Sequence, residues 1–224
     1  MKTVLITGIN RGIGEALAQK FLSKDYSVIG TYRSDKSTIE NKNLFALELD
    51  LSSGESISAC VKEITGLGKN IDILINNAGV LLDEEETSVI PEKLRKTLAI
   101  NLIGTIDFTE KIIPLINKSG HIVNISSTAG SLEKAGGASG HYPYHYPSYK
   151  ISKAALNMYT RTLALRLEKS EITVSSVHPG WVKTEMGGQE AAISAEEAAD
   201  GIYKVAISNP ETGQFWFKDE KLPW

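Results

Sequence analysis

Short apolar, β-branched runs alternate along this chain with longer stretches of helical period. That alternation restricts the fold more than any other feature of the sequence. The runs are Thr3–Thr7, Ser27–Tyr32, Leu44–Leu49, Ile71–Asn76, His121–Ser126, Ile172–His178 and Gln214–Phe217. Helical spacing occupies the intervals near Ile13–Lys24, Glu55–Thr65, Glu92–Ile116, Ser148–Lys169 and Ala195–Ser208. Strand–helix–strand units return through right-handed crossovers, which predicts an α/β fold: a doubly wound parallel sheet of about seven strands with helices on both faces. "DILIN" and "HIVNIS" are nearly continuous apolar runs, as strands buried on both faces should be. No linker-like stretch, repeat or low-complexity segment interrupts the 224 residues, so residues 1–224 read as a single domain. Such domains bind ligands beyond the carboxyl ends of their strands, and chemistry-bearing residues should collect there.

Charge narrows the classes of partner. The 24 basic and 27 acidic side chains give a formal charge of −3, which offers no electrostatic case for nucleic acid or an anionic membrane. No apolar run approaches the ~20 residues needed to cross a bilayer. One cysteine, Cys60, permits no internal disulfide, which favours a reducing compartment. "MKTVLITG" enters a strand directly without an apolar leader, so a cytoplasmic location is expected.

The first candidate site follows the first strand. In "TGINRGIGEA", Gly8, Gly12 and Gly14 mark a tight turn into a helix. Glycines let the backbone reverse there and let a pyrophosphate approach the N–H groups of the helix start. The spacing is G-x-x-x-G-x-G rather than G-x-G-x-x-G. At the end of the second strand, where an acidic residue would hold a free ribose, stand Tyr32 and Arg33. Arg33 can fork onto a 2′-phosphate, and Arg11 in the glycine turn adds a second cation. The pair favours NADP(H) over NAD(H), although both arginines could be solvated, and Asp35 nearby keeps NAD(H) open. "ELDLS" ends the third strand and puts Asp50 and Leu51 near the adenine.

Six motifs then follow in order: "TGINRGIG", "NNAG" at 76–79, Asn101 in "LAINLIG", "IVNISS" at 122–127, "YKISKAALN" at 149–157 and "VHPGWVKTEM" at 177–186. Together they resemble the short-chain dehydrogenase/reductase family, with its Rossmann-like sheet, over essentially the whole chain. "VHPGWVKTEMGG" and "GQFWFKDEKLPW" are similar to the branch that holds the bacterial C-factor signalling protein and sniffer-like carbonyl reductases. The resemblance implies hydride transfer between a nicotinamide and a carbonyl or alcohol carbon. It makes Asn101, Ser127, Tyr149 and Lys153 the catalytic set, with Tyr149 as acid/base. A free tyrosine has a pKa of ~10, and a neighbouring ammonium is expected to lower it. Lys153 would also hold the nicotinamide ribose, Ser127 the substrate oxygen, and Asn101 a water leading from the lysine to solvent.

By the same resemblance Gly8, Asn10, Arg11, Gly12, Ile13 and Gly14 would cradle the phosphates. Asn76 and Asn77, with Ala78 and Gly79, would line the adenosine and ribose side. Pro179 and Gly180 would shape the nicotinamide pocket, and Val182 and Thr184 would hold its carboxamide. Asn124 and Ser126 would support the strand. Long helices at 92–116 and 148–169 could pair into a homodimer or homotetramer. An NAD-preferring dehydrogenase and a dinucleotide-binding signalling protein with little turnover remain alternatives, but the intact set of four is what catalysis needs and binding does not.

"HYPYHYPSYKISKAA", residues 141–155, holds two Tyr-x-x-x-Lys spacings, Tyr146 with Lys150 and Tyr149 with Lys153. Pro147 decides between them. Proline favours the first position of a helix and pushes the residue before it out of the α region. Tyr146 is then outside the helix, in an extended or turn conformation. Tyr149 and Lys153 share one helical face. Ser127 and Tyr149 lie 22 residues apart, and the loop between them is expected to wall the substrate site. His141 and His145 have no ligand-like spacing, so no metal is expected. The short segment 180–199 predicts an open site that accepts varied small carbonyl compounds.

Overall fold

The computed structural model describes residues 1–35, 37–134 and 145–224. Eight strands form one sheet in the order β3-β2-β1-β4-β5-β6-β7-β8. They are β1 (Thr3–Ile6), β2 (Ser27–Tyr32), β3 (Leu44–Glu48), β4 (Ile71–Asn76), β5 (Ile116–Ile125), β6 (Thr173–Val177), β7 (Gln214–Phe217) and β8 (Glu220–Leu222). The first seven run parallel, and β8 turns back antiparallel on β7. The expected count of about seven is therefore one short. Lys218 at φ 56° opens the turn that makes the eighth.

Alternation along each strand fills two cores. Val4 and Ile6 join Ile75 and Val123 on one face, under α1 (Gly12–Leu22) and α6 (Ala195–Ile207). Leu5, Leu74 and Ile122 join Phe108, Leu163 and Val174 on the other. That face is covered by α2 (Gly54–Gly66), α4 (Thr105–Ile112) and α5 (Pro147–Leu167). Helix ends are capped by local side chains in α2, where Ser53 accepts from the Ser56 amide, and in α6, where Ser194 and Glu197 form a capping box. α5 has no such cap, because Tyr146 precedes it in a left-handed conformation, φ 46° and ψ 53°.

The long helix expected over 92–116 is broken. α3 (Pro91–Leu98) passes into a π turn at Ala99–Gly104 before α4 begins. Gly104 lies against the backbone of Leu51, where a Cβ would meet the Leu51 carbonyl oxygen at 1.8 Å. The widened turn allows that approach, and Thr105 Oγ1 bonds the Ile100 carbonyl five residues back at 3.1 Å. Pro114 then closes the helical path, and β5 starts at Ile116, earlier than the apolar run at His121 suggests.

The strand order reverses between β1 and β4. At that point the loops after the two strands diverge from the sheet and leave a crevice.

Candidate active site

Three loops meet over this crevice. In the first, Gly8 and Gly12 have φ of 74° and 56°, and a Cβ on Gly14 would sit 1.8 Å from the Gly8 carbonyl oxygen. Only glycine lets the chain turn this tightly into α1. Ile13 lines the cleft, and Asn10 is partly buried beside it. No side chain caps α1 at Arg11, so the amides of its first turn suit an anionic ligand such as a pyrophosphate.

The loop after β4 fastens this turn. Asn77 Nδ2 donates to the carbonyls of Thr7 (2.9 Å) and Gly8 (3.1 Å), and the amides of Asn77 and Ala78 both donate to Thr7 Oγ1 at 3.0 Å. Asn77 thus spends its side chain on the turn. Asn76 differs from expectation more sharply. It is buried in the sheet, donating to Thr109 Oγ1 and Asn124 Oδ1 at 2.8 Å. A polar side chain on a strand between two helices must find internal partners, and these two take it away from the cleft. Gly79 instead adjoins the site: a Cβ there would lie 3.3 Å from Asn101 Oδ1 and 3.7 Å from Lys153 Nζ.

On the adenine side, Tyr32 ends β2 partly buried and Arg33 is exposed. Asp50 bonds the hydroxyl (2.6 Å) and amide (2.8 Å) of Ser52, and these bonds, with a smaller contribution from Arg33, hold its carboxyl below its ordinary range. Leu51 is buried against the π turn. Arg11 stands at the N-cap position of α1. It is ion-paired with Glu185 of the third loop, an acidic neighbour that the spacing of the two arginines could not reveal.

That third loop follows β6. Pro179, Gly180, Val182 and Thr184 line the cleft, and Gly180 has φ 94°. Thr184 Cγ2 lies 3.1 Å from where a Gly12 Cβ would be, so the loop closes directly on the glycine turn.

The four residues singled out for catalysis stand between these loops. Pro147 does start α5, and Tyr149 and Lys153 share a face, with the ammonium 5.5 Å from the ring centre. Tyr146 stays outside the helix, in the left-handed region rather than extended. Ser127 ends the strand path and opens a short turn, Thr128–Gly130, accepting from the Ala129 amide at 3.1 Å. Asn157 on α5 grips this turn, accepting from Ser126 Oγ at 2.6 Å and donating to the Gly130 carbonyl at 3.3 Å. Asn124 bonds Thr160 Oγ1 at 2.9 Å, so both it and Ser126 tie the strand to α5.

Asn101 lies in the π turn, buried. Its Oδ1 accepts from the Val80 amide at 2.8 Å, and its Nδ2 donates to the Val80 carbonyl (2.9 Å) and to Ser152 Oγ (3.1 Å). Its side chain therefore joins the loop after β4 to α5.

The electrostatics reverse one expectation. Burial pushes the Tyr149 phenol up to about 12, against the smaller downward effect of its bond to Ser127. Burial likewise pulls the Lys153 ammonium down to about 8, and its Nζ donates to the Ile125 carbonyl at 2.8 Å. The one-turn spacing of Tyr149 and Lys153 does not show the desolvation of both groups.

Ser127 and Tyr149 open into a cleft of about 560 Å³. Its outer wall is largely apolar, from Trp181, Met186, Phe217 and Leu222, four residues inside "VHPGWVKTEMGG" and "GQFWFKDEKLPW" to which the sequence assigned no role. Trp181 and Met186 are exposed at its rim. Tyr146 and Lys150 also line it, with Lys150 4.9 Å from the Tyr146 ring centre. His145 contacts the Glu84 carbonyl at 3.3 Å. His141, Tyr142 and Tyr144 lie outside the described residues. Among the described residues no three His, Cys, Asp or Glu side chains gather as a metal site, and no helix is long and apolar enough to cross a membrane.

The sequence model of the short chain dehydrogenases matches residues 2–194. The chain belongs to the short-chain dehydrogenase family. It is 33% identical over 220 residues to the short-chain dehydrogenase anuI of Penicillium roqueforti, covering 91% of this chain and 87% of that protein. Among solved structures it is similar to NADPH-bound carbonyl reductase from chicken fatty liver, with TM-score 0.90 and 28% identity over 100% of this chain and 94% of that one. It is also similar to carbonyl reductase Sniffer of D. melanogaster, with TM-score 0.87 and 27% identity over all of both chains. As a short-chain dehydrogenase the protein is an oxidoreductase with a carbonyl reductase-like architecture. Of the residues that hold this dehydrogenase's site together, Thr7, Ser152 and Asn157 lie within "TGINRGIG" and "YKISKAALN" without a role assigned to them, and Val80 directly follows "NNAG".

Proposed function

We propose that the chain is a single-domain, cytoplasmic NADP(H)-dependent carbonyl reductase that converts aldehydes and ketones to alcohols, or runs the reverse oxidation. The observation that carries this reading is the meeting of Ser127 and Tyr149 at one cleft whose walls are the glycine turn and the Pro179–Thr184 loop. A bound nicotinamide dinucleotide would supply the hydride.

The chain's own residues divide the remaining work. The glycine turn and the α1 amides hold the pyrophosphate. Arg33 receives the 2′-phosphate, which favours NADP(H) over NAD(H). Lys153, buried beside Gly79 and Tyr149, holds the ribose. Val182 and Thr184 fix the carboxamide. Ser127 donates to the carbonyl oxygen and polarises it. Tyr149 gives that oxygen its proton. With its pKa raised to about 12, the phenol is protonated at neutral pH, which suits it to donate as the oxygen becomes an alkoxide. Asn101 braces the tetrad through Val80 and Ser152.

The test is steady-state NADPH oxidation with a panel of small aldehydes, ketones and quinones. Turnover of several unrelated compounds is expected of so open a cleft. NADPH binding without turnover of any would favour a dinucleotide-binding signalling role instead, and strong selectivity for one bulky substrate would contradict the open-site reading.

A further inference from the structure

The helix that presents Tyr149 starts without a cap of its own. Tyr146, at the N-cap position, has no side-chain bond to the first turn and sits at φ 46°, a conformation that costs a bulky residue energy unless its surroundings hold it. One short segment after β4 supplies part of those surroundings. Tyr146 N–H donates to the Glu86 carbonyl at 2.9 Å. Ser148 N–H donates to Asp83 Oδ2 at 2.6 Å. Three residues before Asp83, Val80 holds both ends of the Asn101 amide. Segment 80–86 is thus a strap that touches Asn101 at one end and the start of α5 at the other.

Asp83 is the unusual member of the strap. Its side chain is 1% exposed, and its Oδ1 has no hydrogen-bonding partner among the described residues. Ser148 Oγ, equally buried, also has none. Burying a carboxylate with one oxygen unpaired costs stability. A neutral N-cap on α5 itself would serve the helix at lower cost. A capping carboxylate reaching in from 65 residues away does something a local cap does not: it ties the helix start to the loop that grips Asn101 through Val80.

We propose that Asp83 is a positioning residue for the reaction. By capping α5 at Ser148 it sets where the helix begins, and so the depth at which Tyr149, the next residue, meets the substrate oxygen. The carboxylate suits the task twice over. It accepts a charge-assisted bond from the Ser148 amide, and its charge lies at the positive end of the α5 dipole. Since Val80 belongs to the same strap, a shift at Asp83 moves Tyr149 and Ser152 together relative to Asn101 as well.

The proposal rests on Tyr149 as proton donor, and the experiment separates the two ideas. kcat, substrate KM and NADPH affinity (by fluorescence titration) are measured for wild type, Asp83→Asn, Asp83→Ala and Tyr149→Phe. Asp83→Asn keeps an acceptor oxygen and should retain kcat within about threefold. Asp83→Ala should lose about 10- to 100-fold in kcat, the size of effect a sub-ångström misplacement brings, with NADPH affinity unchanged. If Asp83→Ala does not fold, Asp83→Ser takes its place, with a loss of about fivefold or more expected. Wild-type kcat in Asp83→Ala or Asp83→Ser, or equal losses in Asp83→Asn, overturns the positioning role. If Tyr149→Phe keeps turnover, the proton-donor reading fails instead, whatever Asp83 does.

Discussion

Gly130 and Lys153 pack backbone to backbone. A Cβ on Gly130 would lie 2.5 Å from the Lys153 carbonyl carbon and 2.7 Å from the Ala154 nitrogen, so the turn after Ser127 rests directly on the helix that carries Tyr149 and Lys153. This contact sets the separation of Ser127 from Tyr149. Gly130→Ala must force the turn and α5 apart, because neither neighbour is a flexible side-chain end. The variant should lose about 100-fold in kcat, as expected for reacting groups displaced by about 1 Å, while NADPH binding, measured by fluorescence, stays near wild type. An unchanged kcat would mean that this packing does not set the site.

Arg33 and Arg11 should behave differently. With Arg33 as the proposed partner of the 2′-phosphate, Arg33→Ala should weaken NADPH by about 10- to 100-fold and leave NADH nearly untouched. Arg11 is already shared with Glu185. Both side chains are well exposed, so the pair is weak. Glu185→Gln should release Arg11 and tighten both cofactors by no more than about fivefold. Parallel titrations with NADPH and NADH check both statements, and an equal loss for the two cofactors in Arg33→Ala would refute the NADP(H) preference.

His121 makes the fold acid-sensitive. It is buried between Ala206 O (3.0 Å) and Ser175 Oγ (2.9 Å), and burial pulls its pKa from 6.5 to about 4. The unfolded chain therefore binds a proton that the folded chain refuses between these values. Stability is full above about pH 6.5 and is lost as pH falls towards 4, by on the order of 3 kcal/mol in all. Denaturant melts of wild type and His121→Gln from pH 7.5 to 4.5 isolate this contribution. The stability difference between the two should shrink as pH falls, and a constant difference would contradict the assignment.

Ile151, Met158 and Leu165 lie seven residues apart on α5 and are all exposed, Leu165 at 74%. Such a stripe on one helical face is suited to pairing with a second copy. Light scattering should find at least a dimer, and Met158→Glu combined with Leu165→Glu should give a monomer. A monomeric wild type would end this expectation.

Much of this architecture was legible because strands buried on both faces leave long apolar runs, and because tight turns demand glycine. Ser27–Tyr32, Ile71–Asn76 and Gln214–Phe217 were bounded to the residue. Pro147 likewise marked the start of α5. What escaped was tertiary in origin. The π turn at Ala99–Gly104 exists because Gly104 meets the Leu51 backbone, a contact between residues 53 positions apart. The antiparallel β8 is only three residues long and too short to show a period. The remote cap from Asp83, the Glu185 partner of Arg11 and the raised Tyr149 pKa all depend on what packs against a residue rather than on its neighbours in sequence.

Delivery of the proton in carbonyl reduction is the role we propose for Tyr149. Its most direct test is Tyr149→Phe, which keeps the ring and removes only the hydroxyl, measured as NADPH oxidation with the best substrate of the panel beside NADPH affinity. A loss of about 100-fold or more in kcat with affinity retained is the expected result, in keeping with the size of general acid catalysis. Turnover at the wild-type rate would contradict the account.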